Sequence, residues 1–136
     1  MGRILAIDYG KKRVGIAVTD PMQIIAQPLV TIDTPKIFEF LKDYFSKEKV
    51  DTIVLGEPKR LNGLDTDATP LVAAFKTKLW ELFPNMPIVM IDERLTSRMA
   101  KQTLIDAGYK KIARQNKKLV DTVAAALILQ LYMEIK

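Results

Sequence analysis

Short apolar segments separated by polar turns fill the first quarter of the chain. Two of them, residues 3–8 and 14–20, flank a turn that contains Gly10 and the cations of residues 11–13. A third segment, residues 25–32, contains Pro28, which is typical of an edge strand or a bulge. Apolar runs of this length, bounded by Gly, Pro and charged residues, favour β-strands. The pattern therefore predicts three consecutive strands, of which the first two form a hairpin.

Helical spacing replaces this pattern in the middle of the chain. Thr34-Pro35 and Thr69-Pro70 each combine an N-cap residue with a proline at the first helical position, so each pair predicts the start of a helix. The recurring spacing of the apolar residues that follow places them on one face of each helix. These residues are Ile37, Phe40, Leu41, Tyr44 and Phe45 in the first helix and Val72, Phe75, Leu79 and Leu82 in the second.

The second half of the chain repeats the strand–helix alternation. Further strands are predicted at residues 52–56 and 88–91, which are continuous apolar runs typical of buried strands. Thr96 or Ser97 can cap a third helix that ends at Gly108. A basic connector then leads to a last helix whose composition is mostly apolar.

This order of elements predicts the fold class. Three strands in succession, followed by alternating helices and strands, favour an α/β fold with a mixed five-stranded sheet flanked by helices. The last helix is expected over residues 119–135. A chain of 136 residues is long enough for one domain with a real core, so we expect a single domain over residues 1–136.

Carboxylates follow three of the predicted strands. Asp8 ends the first strand, Glu57 follows the fourth, and Asp92 and Glu93 follow the fifth. Because the carboxyl ends of parallel strands gather ligands at one edge of a sheet, we expect these side chains to lie close together. Asp121 lies in the last helix on a stripe with alanines, which would let the helix approach the sheet. Carboxylates from several elements can hold two divalent metal ions about 3.5–4 Å apart.

Each of these acids also has an ordinary structural explanation. Asp8 can cap its own turn, and Asp121 can stabilise the first turn of a helix through the helix dipole. Asp92 and Glu93 can be exposed loop charges that pair with Arg94. The residues alone leave both explanations open.

The residue types that the chain lacks narrow its chemistry. His and Cys are absent, and the two serines are Ser46 and Ser97. A Ser-His-Asp triad, a thiolate nucleophile, a disulfide and a Cys/His zinc site are therefore excluded. Hydrolysis by this chain would depend on Asp and Glu with a hard divalent metal ion, assisted by Lys and Arg.

Charge and hydropathy indicate the class of partner. The net charge is +5, and cations cluster at residues 11–13, 59–60 and 110–118. This distribution suits a nucleic acid, although each cluster taken alone is more often a solvated surface. No apolar stretch reaches the ~20 residues that span a bilayer, and the N-terminus lacks a signal-peptide pattern. We therefore expect a cytoplasmic protein that does not contact a membrane.

Several motifs together make the chain recognisable. They are Asp8-Tyr9-Gly10, Val14-Gly15-Ile16-Ala17, Gly56-Glu57-Pro58, Asp92-Glu93-Arg94-Leu95-Thr96-Ser97 and Asp121-Thr122-Val123-Ala124-Ala125. In order and spacing they resemble the YqgF family, also called RuvX, over essentially the whole chain. The resemblance implies a ribonuclease H-like fold and a divalent-metal nuclease that acts on structured nucleic acid. The function it implies is maturation of the 5′ end of pre-16S ribosomal RNA.

The resemblance also implies roles for individual residues. Asp8, Glu93 and Asp121 would be the catalytic residues and the ligands of Mg²⁺ or Mn²⁺, with two ions held. Asp92 would be an adjacent participant, and Ser97 an orienting or phosphate-contacting group. The residues expected to bind nucleic acid are Lys11, Lys12, Arg13, Arg94, Thr96, Lys117 and Lys118. Glu57 stands where the family commonly has an apolar residue, so it is either a neutral turn residue or an added carboxylate beside the site.

Other functions stay open at this point. A Holliday junction resolvase would take branched DNA in place of structured RNA and would need a two-fold dimer, and the sequence allows a monomer or a homodimer. A non-catalytic factor in transcription or ribosome assembly would bind nucleic acid on the same surface without cleaving it. Asp8-x-Gly10 followed by Val14-Gly15 also resembles the first phosphate loop of actin- and sugar-kinase-like ATPases. Those enzymes close two domains around the nucleotide, whereas this chain supplies one.

Overall fold

A mixed five-stranded sheet forms the centre of the molecule. The computed structural model describes residues 2–57, 69–92 and 117–135. The strands are β1 (Arg3–Tyr9), β2 (Arg13–Thr19), β3 (Ala26–Asp33), β4 (Val50–Glu57) and β5 (Ile88–Asp92). Their order across the sheet is β3-β2-β1-β4-β5. β1, β4 and β5 run parallel, whereas β2 is antiparallel to both of its neighbours. The predicted antiparallel opening and the predicted mixed sheet are confirmed.

Helices cover both faces of this sheet. A 3₁₀ turn at Thr34–Lys36 leads into α1 (Ile37–Lys47), α2 spans Thr69–Leu82, and α3 spans Lys117–Ile135. α3 begins two residues before the predicted start at residue 119. The predicted third helix, with Thr96, Ser97 and Gly108, lies outside the described residues, as does the basic connector up to residue 116.

Alternation along β1 separates two hydrophobic cores. Leu5 and Ile7 point to the face covered by α1 and α2, which we call the α1/α2 face. Ile4 and Ala6 point to the opposite face, covered by α3, which we call the α3 face. The predicted apolar faces of α1 and α2 fill the first core. The second core consists mainly of small and aliphatic residues, among them Ala17, Val54, Ala125, Ala126, Ile128 and Leu129.

β3 is an edge strand, as Pro28 indicated. The register with β2 shifts between Ile16 and Ala17, because Ile16 pairs with Val30 whereas Ala17 pairs with Pro28. This bulge leaves Leu29 without a directly opposed partner on β2, and its side chain is exposed. Proline has no N–H to donate to a neighbouring strand. It is tolerated here because β3 has only β2 as a neighbour in the described sheet, and the bulge interrupts the ladder beside Pro28.

The prediction for Thr34 was wrong in detail. Thr34 is the first residue of the 3₁₀ turn, and the N-cap position belongs to Asp33. The starts of this turn and of α1, both within the described part of the chain, carry no side-chain cap. The Thr34 hydroxyl instead donates to the carbonyl oxygen of Gly10 over 2.7 Å. A contact with a distant turn has therefore replaced the expected local cap.

Within residues 2–57, 69–92 and 117–135, no helix is long and apolar enough to cross a bilayer.

Candidate metal site at the carboxyl edge of the sheet

Asp8 lies at the carboxyl end of the central strand. It pairs with Gly15 on β2, and Gly15 pairs in turn with Thr31 on β3. On the other side, Ile7 pairs with Leu55, so the parallel register brings Gly56 beside Asp8. These four residues form a row across β3, β2, β1 and β4. Since Asp8 is two and four residues beyond Ala6 and Ile4, its side chain points to the α3 face.

Glycines flank Asp8 on both neighbouring strands. Gly15 and Gly56 are buried and place no side chain on the α3 face at either side of the carboxylate. Ala6, two residues before Asp8 on the same face, pairs with Ala17, so the side chains there are small as well. A helix can come close to a sheet where the side chains between them are small. The sequence beside Asp8 is thus suited to close packing by α3.

α3 occupies that surface with its own small residues. Ala125 is fully buried in the core between α3 and the sheet, and Ala124 beside it is buried as well. The hydroxyl groups of Thr122 and Thr31 form a hydrogen bond, which ties the start of α3 to the row that contains Asp8. Asp121 directly precedes Thr122, so the helix backbone brings Asp121 next to this row. α3 therefore lies against the row that contains Asp8 through Thr122, and Ala125 packs in the core behind it.

Glu57 and Asp92 belong to the opposite face. They are direct neighbours in the β4–β5 register. Leu55 and Met90, two residues before them, pack in the α1/α2 core, so alternation points both acids to that side. Glu57 lines a cavity of about 170 Å³ whose other lining residues are Thr69, Val72, Ala73, Lys76 and Met90. The sequence left open whether Glu57 or Asp92 joins Asp8, and the strand register separates them from it.

The other expected ligands reach the described structure only in part. Glu93 lies outside the described residues, as does the side chain of Asp121. Arg94 and Thr96, which were expected to bind nucleic acid, also lie outside them. Among the residues that the structure does describe, no three acidic side chains form a group that could hold a metal ion. Among the predicted ligands, Asp8 is the one whose side chain lies within the described residues.

The turn after Asp8 carries exposed cations. Gly10, Lys11 and Lys12 connect β1 to β2, and both lysine side chains are exposed. Arg13 begins β2 and is half-buried; since Val14 packs in the α1/α2 core, Arg13 is directed to the α3 face, as Asp8 is. The turn thus presents positive charge beside the carboxylate. Lys117 and Lys118 are the first two residues of α3, at the end of the helix that lies nearest to this row.

Tyr9 anchors the strand end on the other face. Its ring stacks on Phe75 of α2, with 4.3 Å between ring centroids and 20° between ring planes. Burial raises the pKa of the Tyr9 hydroxyl. Because Tyr9 follows Asp8 directly, this stacking fixes the backbone that carries the carboxylate. This role of Tyr9 was not predicted, although its place next to Asp8 in an alternating strand could have indicated a side chain directed to the opposite core.

Taken together, the sheet order and the flanking helices define an α/β protein with a ribonuclease H-like fold. RuvC of Thermus thermophilus, solved in complex with a Holliday junction substrate, superimposes with a TM-score of 0.59 over 99% of this chain and 96% of that one. The two sequences share 16% identity, so this likeness shows the fold alone.

The family follows from the sequence comparison. Residues 2–135 match RuvX, a family described as Holliday junction resolvase. A relative from Flavobacterium johnsoniae is 51% identical over 136 residues, covering 100% of this chain and 99% of its own. Another from Flavobacterium psychrophilum is 54% identical over 133 residues, covering 98% and 97%. Both carry the name "Putative pre-16S rRNA nuclease". This chain belongs to the RuvX family.

Proposed function

We propose that this chain is a divalent-metal-dependent endonuclease that processes the 5′ end of pre-16S ribosomal RNA. Residues 1–136 would form a single nuclease domain. The observation that carries the proposal is the match, over nearly the full length of both chains, to relatives of about half identical sequence that bear this name. The position of Asp8 among small residues at the carboxyl edge supports it independently.

Asp8, Glu93 and Asp121 would be the catalytic residues and the metal ligands. Asp8 supplies a carboxylate at the centre of the edge, and Asp121 precedes the threonine that ties α3 to the same row. Glu93 follows Asp92, and continued alternation along the chain would turn it to the face of Asp8. Carboxylate oxygens suit Mg²⁺ and Mn²⁺, and the absence of His and Cys leaves no softer nitrogen or sulfur ligand among the side chains that usually bind metals. Two bound ions would supply an activated water and charge stabilisation at the leaving oxygen.

The cationic residues around the site would bind the nucleic-acid backbone. Lys11 and Lys12 project from the turn after β1, and Lys117 and Lys118 start α3. Arg94 and Thr96 would contact phosphates near the scissile bond. Contacts of this type supply affinity that falls as salt concentration rises, and they carry little sequence information. Recognition of the cleavage position would then depend on the shape of the RNA rather than on base contacts.

The proposal is tested by cleavage of a labelled RNA that joins the 5′ leader to the mature 16S end. We expect cleavage near that junction with Mg²⁺ or Mn²⁺, and none when EDTA removes the metal. Calcium provides a matched control, because it binds carboxylates but prefers more ligands and longer bonds than Mg²⁺. Specific binding of the RNA with no cleavage under either active metal would contradict the nuclease assignment and favour the non-catalytic factor.

Resolution of Holliday junctions is a second candidate, favoured by the description of the family. Cutting a symmetric junction at two equivalent positions calls for a two-fold dimer. A four-way DNA junction assayed beside the RNA under the same metals separates the two functions. Paired, symmetric incisions by a dimer would favour the junction, whereas cleavage of the RNA alone would favour ribosomal RNA processing.

A further inference from the structure

Thr34 makes two hydrogen bonds to the cationic turn after Asp8. The backbone N–H of Thr34 donates to the carbonyl oxygen of Lys12 over 3.0 Å. Its hydroxyl donates to the carbonyl oxygen of Gly10 over 2.7 Å. Thr34 therefore contacts the first and the last of the three residues that connect β1 to β2 and brackets Lys11 between them.

The same turn has no room for a side chain at Gly10. A Cβ built on Gly10 would lie 2.5 Å from the carbonyl oxygen of Arg13, which is closer than any real Cβ contact. Glycine is therefore the residue that fits at position 10, and Thr34 bonds to both ends of the connection. Lys11 and Lys12 are nevertheless exposed, so their ammonium groups extend from a fixed backbone into solvent.

The Thr34 hydroxyl does not serve the start of its own helix. Thr34 is the first residue of the 3₁₀ turn, whose N-cap position is Asp33, so its hydroxyl is not in the capping position. The 3₁₀ turn and α1, which the structure describes in full, start without a side-chain cap. The hydroxyl contacts the cationic turn, which lies 24 residues away in sequence, and thereby fixes the backbone that carries the lysines.

We propose that Thr34 is a positioning residue that holds Lys11 and Lys12 in the arrangement that grips backbone phosphates of the substrate. The inference rests on the proposed function, since it assigns the turn to the nucleic acid that the Asp8 site would cleave. A backbone that is already ordered lowers the entropy lost when the lysines bind, so Thr34 raises affinity without contacting the ligand.

The test measures binding of the labelled leader RNA by Thr34→Val and Thr34→Ser, both made in the Asp8→Asn chain so that no cleavage interferes. Valine keeps the size of threonine and removes the hydroxyl, so we expect a roughly threefold to tenfold higher Kd. Serine retains the hydroxyl and should restore the Kd. The slope of log K against log salt should fall by about 0.7–0.9 for each phosphate that the lysines no longer neutralise, which a general loss of stability would not cause.

Coupling to the lysines provides the second readout. In a chain that already carries Lys11→Ala and Lys12→Ala, Thr34→Val should change the Kd no further. Thr77→Val is the matched control, because the Thr77 hydroxyl bonds to the Ala73 carbonyl within α2 and lies on an exposed helix face. It should bind RNA as the parent does. Should Thr34→Val melt below the assay temperature, Gly10→Ala perturbs the same turn and carries the same prediction.

The outcomes separate this inference from the proposed function. An unchanged Kd and salt slope in Thr34→Val, or an equal loss of affinity with and without the two lysines, would overturn the role of Thr34 and leave the nuclease proposal intact. RNA that binds none of the variants, nor the wild-type chain, would overturn both.

Discussion

The two faces of the sheet differ most at the edge where Asp8 lies. On the α1/α2 face, the strand end is packed with aromatic rings: Tyr9 stacks on Phe75, and Phe75 lies 5.3 Å from Phe38 between ring centroids. On the α3 face, the neighbours of Asp8 on the adjacent strands are glycines, and the next pair along the strands, Ala6 and Ala17, consists of alanines. Large rings on one side hold the strand in place, and small residues on the other let a helix approach it. The strand end is therefore packed by aromatic rings on one face and covered closely by a helix on the other.

This difference has a chemical consequence for the acids at the edge. Asp8 and Glu57 end neighbouring parallel strands, yet they point to opposite faces. Glu57 lies beside α2 and Lys76, whereas Asp8 lies on the face where Thr122 of α3 bonds to Thr31. The proposed metal site would need its ligands on one face, and the strand register places Asp8 and Glu57 on different ones.

The largest effect on stability is expected on the aromatic face. Phe75→Ala removes a ring that is 3% exposed and leaves a cavity between α2 and Tyr9. We expect it to lower the free energy of unfolding by about 3–5 kcal/mol. Urea denaturation followed by circular dichroism measures the change. A loss under about 1 kcal/mol would show that the aromatic rings do not hold the strand end on the α1/α2 face, since large-to-small core substitutions normally cost more.

Overpacking should affect the small-residue face most. Ala125 is fully buried against the sheet, and Ala125→Leu would push α3 away from it. We expect about 1–3 kcal/mol of lost stability, with a fall in cleavage that is larger than the unfolded fraction explains. Leu71→Ala, at an exposed position of α2, is the matched control and should change neither. Full cleavage by Ala125→Leu would show that close approach of α3 is not needed.

The threonine pair should contribute less. Thr31 and Thr122 join β3 to α3 through their hydroxyls. A double-mutant cycle with Thr31→Val and Thr122→Val should give a coupling energy of about 0.5–1.5 kcal/mol, the usual net value of one hydrogen bond. Chemical denaturation of the four chains measures it. A coupling energy indistinguishable from zero would show that this hydrogen bond does not stabilise the contact between α3 and the row of Asp8.

The smallest effect concerns an acid at the other edge of the sheet. Asp20 accepts N–H bonds from Met22, Ile24 and Ile25, of which the bond from Ile25 does most to lower its pKa below the ordinary 3.8. A lowered folded pKa means that the ionised group stabilises the fold above its unfolded pKa and loses this contribution as pH falls through the folded pKa. Asp20→Asn should therefore be less stable than the parent near neutral pH, and this difference should shrink in acid.

Thermal denaturation of both chains across that pH range measures the difference. A stability difference that stays constant from neutral pH into acid would show that the Asp20 charge has no structural role. The pair of acids then sharpens the comparison: Asp20 should influence stability and not cleavage, whereas Asp8 should do the reverse.

Local patterns predicted most of the architecture because they depend on neighbouring residues. Apolar runs bounded by turn residues, Pro28 and the threonine–proline pairs were enough for the strands, the bulged edge and the helix starts near residues 34 and 69. Contacts between distant segments were not predictable in this way. The Thr34 hydroxyl bonds to Gly10 in place of its own helix, and Tyr9 stacks on Phe75, which is 66 residues further along the chain. Which face each acid occupies depends equally on the register of β4 and β5.

The most direct test compares two acids that end neighbouring strands on opposite faces. Asp8→Asn and Glu57→Gln each remove one charge and keep the shape of the side chain, and cleavage of the leader RNA is measured with Mn²⁺ at matched folded protein. We predict that Asp8→Asn abolishes cleavage while still binding RNA, and that Glu57→Gln cleaves as the parent does. Cleavage retained by Asp8→Asn, or lost in Glu57→Gln alone, would contradict the assignment of the site to the α3 face.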